Sequence, residues 1–246
     1  MWADSRAALA DLQLAGRDSV LDVGAGTGEL TRVLREETPG TVVALDADPA
    51  LLARVGGPAA VGDATRLPFG ADSFDLVICQ ALLVNLPDPL AALEEFARVA
   101  TDTVAAIEPD NSAVTVESTV EAEPPLLRRA RRRYLGGIET DATLGDTRHL
   151  FEQSRLSDIT VSQYDHERAI EPPYSSRALE GARRKANGAG LEADRETILA
   201  GGTTPEEFDA LRQEWREVGR SVITQMQTGT YRQREVVPFY VTVGEV

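Results

Sequence analysis

The chain has 246 residues, 42% of them hydrophobic, which suits one large α/β domain or one domain with a sizeable insertion. No run approaches the ~20 apolar residues of a membrane helix; Met1-Trp2-Ala3-Asp4 lacks the order of a signal peptide; and the single cysteine, Cys79, excludes a disulfide framework or cysteine-based zinc site, so no metal and a reducing cytoplasm are expected. Forty acidic residues against 25 basic ones, of which only Lys185 is lysine, leave a net charge of −15; such a surface fits a salt-loving organism, where salt screens self-repulsion, although a GC-rich genome that favours arginine codons would also yield it.

Residues 3–14 place Ala7, Leu9, Ala10, Leu12 and Leu14 in a helical rhythm. A first strand is predicted at 19–23, then a helix from Glu29 to about Glu37, stopped by Pro39-Gly40. A second strand covers 41–45, and Asp48-Pro49 supplies an N-cap and first-turn proline for a helix to about Val55. Residues 59–61 make a short third strand ending at Gly62-Asp63. The continuous apolar run 74–79 reads as a strand buried on both faces. Asp88-Pro89 opens another helix, with Leu90, Leu93, Phe96 and Ala97 on one face, and 103–107 is a fifth strand.

The alternation of strand and helix implies an α/β fold, a doubly wound and mostly parallel sheet with right-handed crossovers. After Pro109 the rhythm changes. Residues 124–137 form a basic helix around Arg128, Arg129, Arg131, Arg132 and Arg133, residues 146–155 another helix, and 159–161 begin a sixth strand. Pro172-Pro173 break the chain, 175–187 is helical, and 187–190 is a loop. Thr204-Pro205-Glu206-Glu207 is a capping box for a long helix striped by Phe208, Leu211, Trp215, Val218 and Val222. The last strand spans 236–243, which makes seven strands in one domain over 1–246. Residues 15–110 form its strand-and-helix half, and 174–230 form a helical insertion, a lid, before the last strand.

The stretch Val20-Leu21-Asp22-Val23-Gly24-Ala25-Gly26-Thr27-Gly28-Glu29 carries the chemistry. Glycines at alternate positions let the backbone turn sharply off a strand with no Cβ between chain and ligand. A dinucleotide fold would place its third glycine at position 29, but Glu29 stands there, and a carboxylate at a helix N-terminus repels a pyrophosphate. An adenosyl ligand without a charged linker meets no such conflict. Asp22, Asp46 and Asp63 stand at or just past the ends of three strands, a placement that chance rarely produces behind such a turn.

Gly24 to Gly28, Asp46, Gly62-Asp63, Leu67-Pro68-Phe69, Ser73-Phe74-Asp75-Leu76-Val77 and Leu86-Pro87-Asp88-Pro89 together resemble the class I S-adenosylmethionine-dependent methyltransferases, in particular their small-molecule-type subgroup. The resemblance covers 19–109 closely, 145–161 and the final strand loosely, and the insertion not at all. It implies that 15–110 is the cofactor-binding half and that S-adenosyl-L-methionine is the cofactor, with Gly24, Ala25, Gly26 and Gly28 approaching its methionine and ribose. It implies that Asp22 helps hold the ammonium, directly or through water, and that Asp46 accepts from both ribose hydroxyls. Ala47 would flank the adenine, Asp63 would accept from its amino group with Ala64 beside it, and Gln80 and Ala81 would border the methionine and methyl group. Relatives often carry a histidine before Leu-Pro-Asp-Pro, whereas this chain has Val84-Asn85.

The acceptor side is less explicit. His149, His166 and Cys79 read as structural, and Pro172-Pro173-Tyr174 stands after the wrong strand to serve as an amide-methylating motif. The basic run at 128–133 could face a nucleic acid or a phosphorylated metabolite, but it reads better as a solvated face balancing local acids. No catalytic residue and no acceptor is named by the sequence; a small molecule or a translation component would fit. Alternatives are a non-catalytic cofactor-binding subunit and, against the glycine spacing, a nicotinamide-dependent oxidoreductase. Some relatives need a small zinc-binding activator subunit that pairs with the sheet edge, and the short third strand offers such an edge.

Overall fold

The computed structural model describes Trp2 and residues 6–246. Where the sequence predicts a helix over 3–14, the described part holds two 3-10 turns, Ala7–Leu12 and Leu14–Gly16, separated by Gln13 at φ +51°; residues 3–5 lie outside the described residues. Short segments without capping bonds settle for the tighter helix. The regular elements begin with β1 (Ser19–Val23), α1 (Glu29–Glu37), β2 (Thr41–Asp46), α2 (Pro49–Leu52), β3 (Ala59–Val61), β4 (Phe74–Gln80), α3 (Pro89–Val99) and β5 (Ala100–Pro109). Asp48 and Asp88 cap α2 and α3 through the amides of Ala50 and Ala91, and each helix opens with proline. Then follow β6 (Thr115–Ser118), α4 (Glu123–Leu135), α5 (Arg148–Gln153), β7 (Ser157–Ile170), α6 (Ser176–Asn187), α7 (Ala189–Glu192), α8 (Arg195–Ala200), α9 (Pro205–Gln227) and β8 (Gln233–Glu245).

The chain divides into two compact units. The first comprises Met1–Asp110, Thr143–Tyr164 and Pro238–Val246. Its strands lie in the order β3-β2-β1-β4-β5-β8, with β7 paired to β8. The first five are parallel, and β8 runs antiparallel to β5. Seven strands, mostly parallel and with helical crossovers, match the doubly wound arrangement expected from the sequence. The order reverses between β1 and β4, the position at which open α/β sheets place their ligands. Leu21, Val23, Val77 and Cys79 from the strands meet Leu93, Phe96, Phe151 and Leu156 in one buried cluster.

The second unit comprises Asn111–Ala142 and Asp165–Val237. It draws on the segment before α5 as well as on the helices after β7, so it is wider than the stretch 174–230. β6 is an addition to the expected elements; it pairs antiparallel with β8. Phe208, Leu211, Val218 and Val222 of α9 are buried against Leu126, Ala130, Leu191, Ile198 and Tyr231, as the stripe predicts. The capping box forms in full, with Thr204 accepting from the Glu207 amide and Glu207 from that of Thr204. Three arginines of α4 face acids of the same unit: Arg129 pairs with Glu214, Arg131 with Glu235 and Arg133 with Glu207. Glu123, at the start of that helix and fully buried, is satisfied by Lys185, the only lysine of the chain, and by the hydroxyls of Ser118 and Tyr231. A buried carboxylate needs such a full set of partners. Among the described residues no helix is long and apolar enough to cross a membrane, and no cluster of side chains could hold a metal ion.

Candidate functional site

The glycine turn leaves β1 at the switch point. Gly24, Gly26 and Gly28 adopt φ of +72°, +55° and +80°, which residues with a side chain rarely enter. The amides of Gly24 and Ala25 both donate to Leu45 O, at 2.8 and 2.9 Å, so the turn is fastened to the end of β2. Asp46 completes that fastening. Its Oδ2 accepts the Gly26 amide at 2.8 Å and its Oδ1 the Asp48 amide at 2.9 Å, while its own carbonyl accepts from Gly62 at 3.1 Å. Turn, second strand end and third strand end are therefore joined through one residue. A carboxylate has about four lone-pair sites, so two backbone bonds leave capacity for a pair of hydroxyl donors.

The glycines differ in what surrounds them. A Cβ at Gly24 would strike Leu82 at 2.8 Å and one at Gly28 would crowd Val55 at 3.0 Å, but at Gly26 it would meet nothing within 4 Å. The backbone is thus open at Gly26, next to the Asp46 carboxylate. An open glycine beside a half-buried carboxylate fits the nucleoside end of an adenosyl cofactor.

The remaining predicted residues fall into two groups. Asp63, exposed, accepts from the Thr65 amide and hydroxyl at 2.8 Å each, and these bonds hold its carboxyl below the usual range. Ala47 is exposed next to Asp46. Gln80 ends β4 and accepts from the Trp2 indole at 2.9 Å, and Ala81 follows at φ +49°. These stand around the strand ends. The others turn inward. Ala25 packs with Ala44 and Leu52, and Ala64 lies in the main core. Asp22 is 1% exposed, and the Thr31 hydroxyl of α1 donates to its Oδ2 at 2.5 Å; burial pushes its carboxyl up to about 7. It sits beneath the turn. Cys79 is buried in the core, and burial pushes its thiol up, as for a packed strand residue. His149 lies on α5, and His166 lies on β7 beside Arg168, whose Nε donates to it at 3.3 Å.

Sequence reasoning missed Glu108, which stands near the end of β5 as Asp46 stands at the end of β2 and is fully buried. The signal is a charged residue that closes the apolar run 104–107 just before Pro109. Trp2, 5% exposed and bonded to Gln80, carries no local signal of that contact.

A parallel α/β unit with a glycine turn and strand-end carboxylates at the switch point defines the Rossmann-like nucleoside-binding class. Within it, residues 21–105 match the family model of the methyltransferase domain. Demethylmenaquinone methyltransferases of Mycobacterium tuberculosis (strain ATCC 25618 / H37Rv) and Mycobacterium sp. (strain JLS) are 40% identical over 97 residues, 38% of this chain and 41–42% of theirs. The match spans about two fifths of the length of those relatives. A putative methyltransferase of Bacillus halodurans superposes with a TM-score of 0.55 at 14% identity over 96% of both chains. The YcgJ protein of Bacillus subtilis does so at 0.53 and 15%, over 96% of this chain and 97% of that one. These structures share the fold. The match to a methyltransferase domain lies in residues 21–105, and the cofactor of the class I methyltransferases is S-adenosyl-L-methionine.

Proposed function

We propose that this protein transfers the methyl group of S-adenosylmethionine to a small organic acceptor. The observation that carries this reading is the open backbone at Gly26 beside Asp46, whose carboxylate accepts the amides of Gly26 and Asp48 and whose backbone carbonyl accepts from Gly62 just past β3. The cofactor would supply an activated methyl on a sulfonium, a donor that already contains its leaving group. The chain's part is then mainly to bind and align. Asp46 accepts from the ribose hydroxyls, Asp63 from the adenine amino group, and Gly24, Gly26 and Gly28 let the backbone approach. Asp22, beneath the turn, acts on the ammonium through water or through the turn's backbone. Gln80 and Ala81 border the methyl end, where alignment of the nucleophile contributes most to the rate.

The mycobacterial relatives are named demethylmenaquinone methyltransferases, so demethylmenaquinone is the first acceptor to try. The run 128–133 spends three arginines on acids of its own unit, which weighs against a nucleic-acid face. The edge strand β3, three residues long with Val61 57% exposed, suits a partner strand from an activator subunit. The acidic, lysine-poor composition suits a salt-rich cytoplasm.

The test is incubation with methyl-labelled cofactor and fractionated extract, with demethylmenaquinone as a separate arm. Label is expected in the small-molecule fraction. Label in RNA or protein would replace the acceptor class, and calorimetry without affinity for S-adenosylmethionine or S-adenosylhomocysteine would remove the reading.

A further inference from the structure

Glu108 stands on β5, the strand beside β4, with no exposed surface. Its Oε1 accepts the amides of Leu82 at 3.0 Å and Leu83 at 2.9 Å, and its Oε2 that of Val84 at 3.3 Å; the Cys79 thiol lies 3.6 Å from Oε1. Three consecutive amides aimed at one carboxylate make an anion nest. Burying a carboxyl is costly, and an apolar residue would fill the same volume without that cost. What the carboxylate adds is control of a backbone.

The controlled segment is the turn that follows Gln80. Ala81 is held at φ +49°, a conformation unfavourable for a residue with a Cβ. Its amide donates to Ile107 O at 2.9 Å and its carbonyl accepts from Asn85 Nδ2 at 2.7 Å. Residues Leu83–Asn85 form a 3-10 turn whose opening amides are those that Glu108 holds. The side chain of Leu82 lies over Gly24, with Cδ1 2.8 Å from where a Cβ would be. A continuous set of contacts thus runs from Glu108 through the amides of 82–84 and the Leu82 side chain to the first glycine of the cofactor turn.

We propose that Glu108 is a positioning residue for S-adenosylmethionine: by holding the amides of Leu82, Leu83 and Val84 it seats Leu82 on Gly24 and keeps the glycine turn in its cofactor-binding form. This role rests on the cofactor reading above. Burial pushes the Glu108 carboxyl up to about 7 while the three amides pull it down, so the ionised form the nest requires is held against desolvation.

The experiment is a double-mutant cycle read by calorimetric titration with S-adenosylhomocysteine on Glu108→Gln, Leu82→Ala, both together and the wild type. Gln keeps the size but cannot accept at its amide nitrogen, so binding is expected to weaken about tenfold. Leu82→Ala is expected to weaken it about fivefold, and the double variant to be within about twofold of Glu108→Gln, since both act along one route. Multiplicative losses, or Glu108→Gln binding like the wild type while its thermal midpoint falls, would overturn the role. If Glu108→Gln does not fold, hydrogen exchange on the wild type decides: the cofactor product should slow the amides of 82–84 along with those of the glycine turn, and unchanged exchange at 82–84 overturns the role. A wild type without affinity for the product overturns the cofactor reading itself, and this role with it.

Discussion

Two carboxylates at the strand ends are pulled in opposite directions. Asp63 keeps its charge easily, because the Thr65 amide and hydroxyl both donate to it in the open. Asp22, sealed under α1, is pushed up to about 7 by burial, with the Thr31 hydroxyl opposing only in part. A carboxyl whose folded pKa lies above its unfolded one favours folding most when protonated, so this contribution is present below about pH 4 and lost as pH rises through 7. Asp22→Asn should therefore match the wild type near pH 4 and exceed it near pH 8, by at most roughly 4 kcal/mol. Denaturant titrations across that range measure the gap; a gap that does not change with pH would refute the assignment. At Asp46 the expected effect is on binding. Asp46→Ala removes the acceptor for the Gly26 and Asp48 amides as well as the candidate ribose contact. The affinity for S-adenosylhomocysteine should fall by roughly 2–4 kcal/mol, read by calorimetry, with Asp46→Asn intermediate. The three aspartates are legible in the sequence because each belongs to a local pattern of strand and turn. Glu108 is not, because its partners are amides more than twenty residues away, on another strand's exit.

Among the elements, those with strong local signals stand where the sequence places them. α1 begins at Glu29, α3 at Pro89 and α9 at Pro205, each at its turn or cap. Ends that depend on partners differ. The apolar pattern predicts β5 from residue 103, but the strand starts at Ala100, since Arg17 pairs with Asp102 and donates to the Thr103 hydroxyl at 2.8 Å, making polar residues at home in a strand. β6 has only four residues and exists through its pairing with β8. α7 overlaps the predicted loop 187–190, and α8 follows it unsignalled, because neither carries a stripe long enough to show a period. The packing of α9 on α6 rests on a close approach: a Cβ at Gly219 would lie 2.3 Å from the Ala186 amide. Gly219→Ala must spread the two helices, and should cost about 2–3 kcal/mol in thermal or denaturant unfolding. Cofactor affinity of the folded fraction should stay unchanged, since α9 belongs to the second unit. An unaltered midpoint would show that the helices are not packed this closely.

For the whole molecule, net charge sets how stability responds to salt. At −15 over 246 residues, self-repulsion opposes the compact state, and the ion pairs on α4 relieve it only locally. Raising KCl from 0.1 to about 2 M shortens the screening length from ~10 Å to below ~3 Å and should raise the thermal midpoint. A midpoint that is flat or falls with salt would end the salt-adapted reading. The sequence alone determined the parallel α/β class, the glycine turn and its three carboxylates, because each is written in contiguous residues whose period or backbone need is local. Only the tertiary structure decided that the helical segment before α5 joins the helices after β7 in one unit, that Ala25 and Ala64 pack in the core, and that Glu108 accepts the amides of the turn after β4. Those outcomes depend on which distant surfaces and amides meet, and no window of neighbouring residues contains that information.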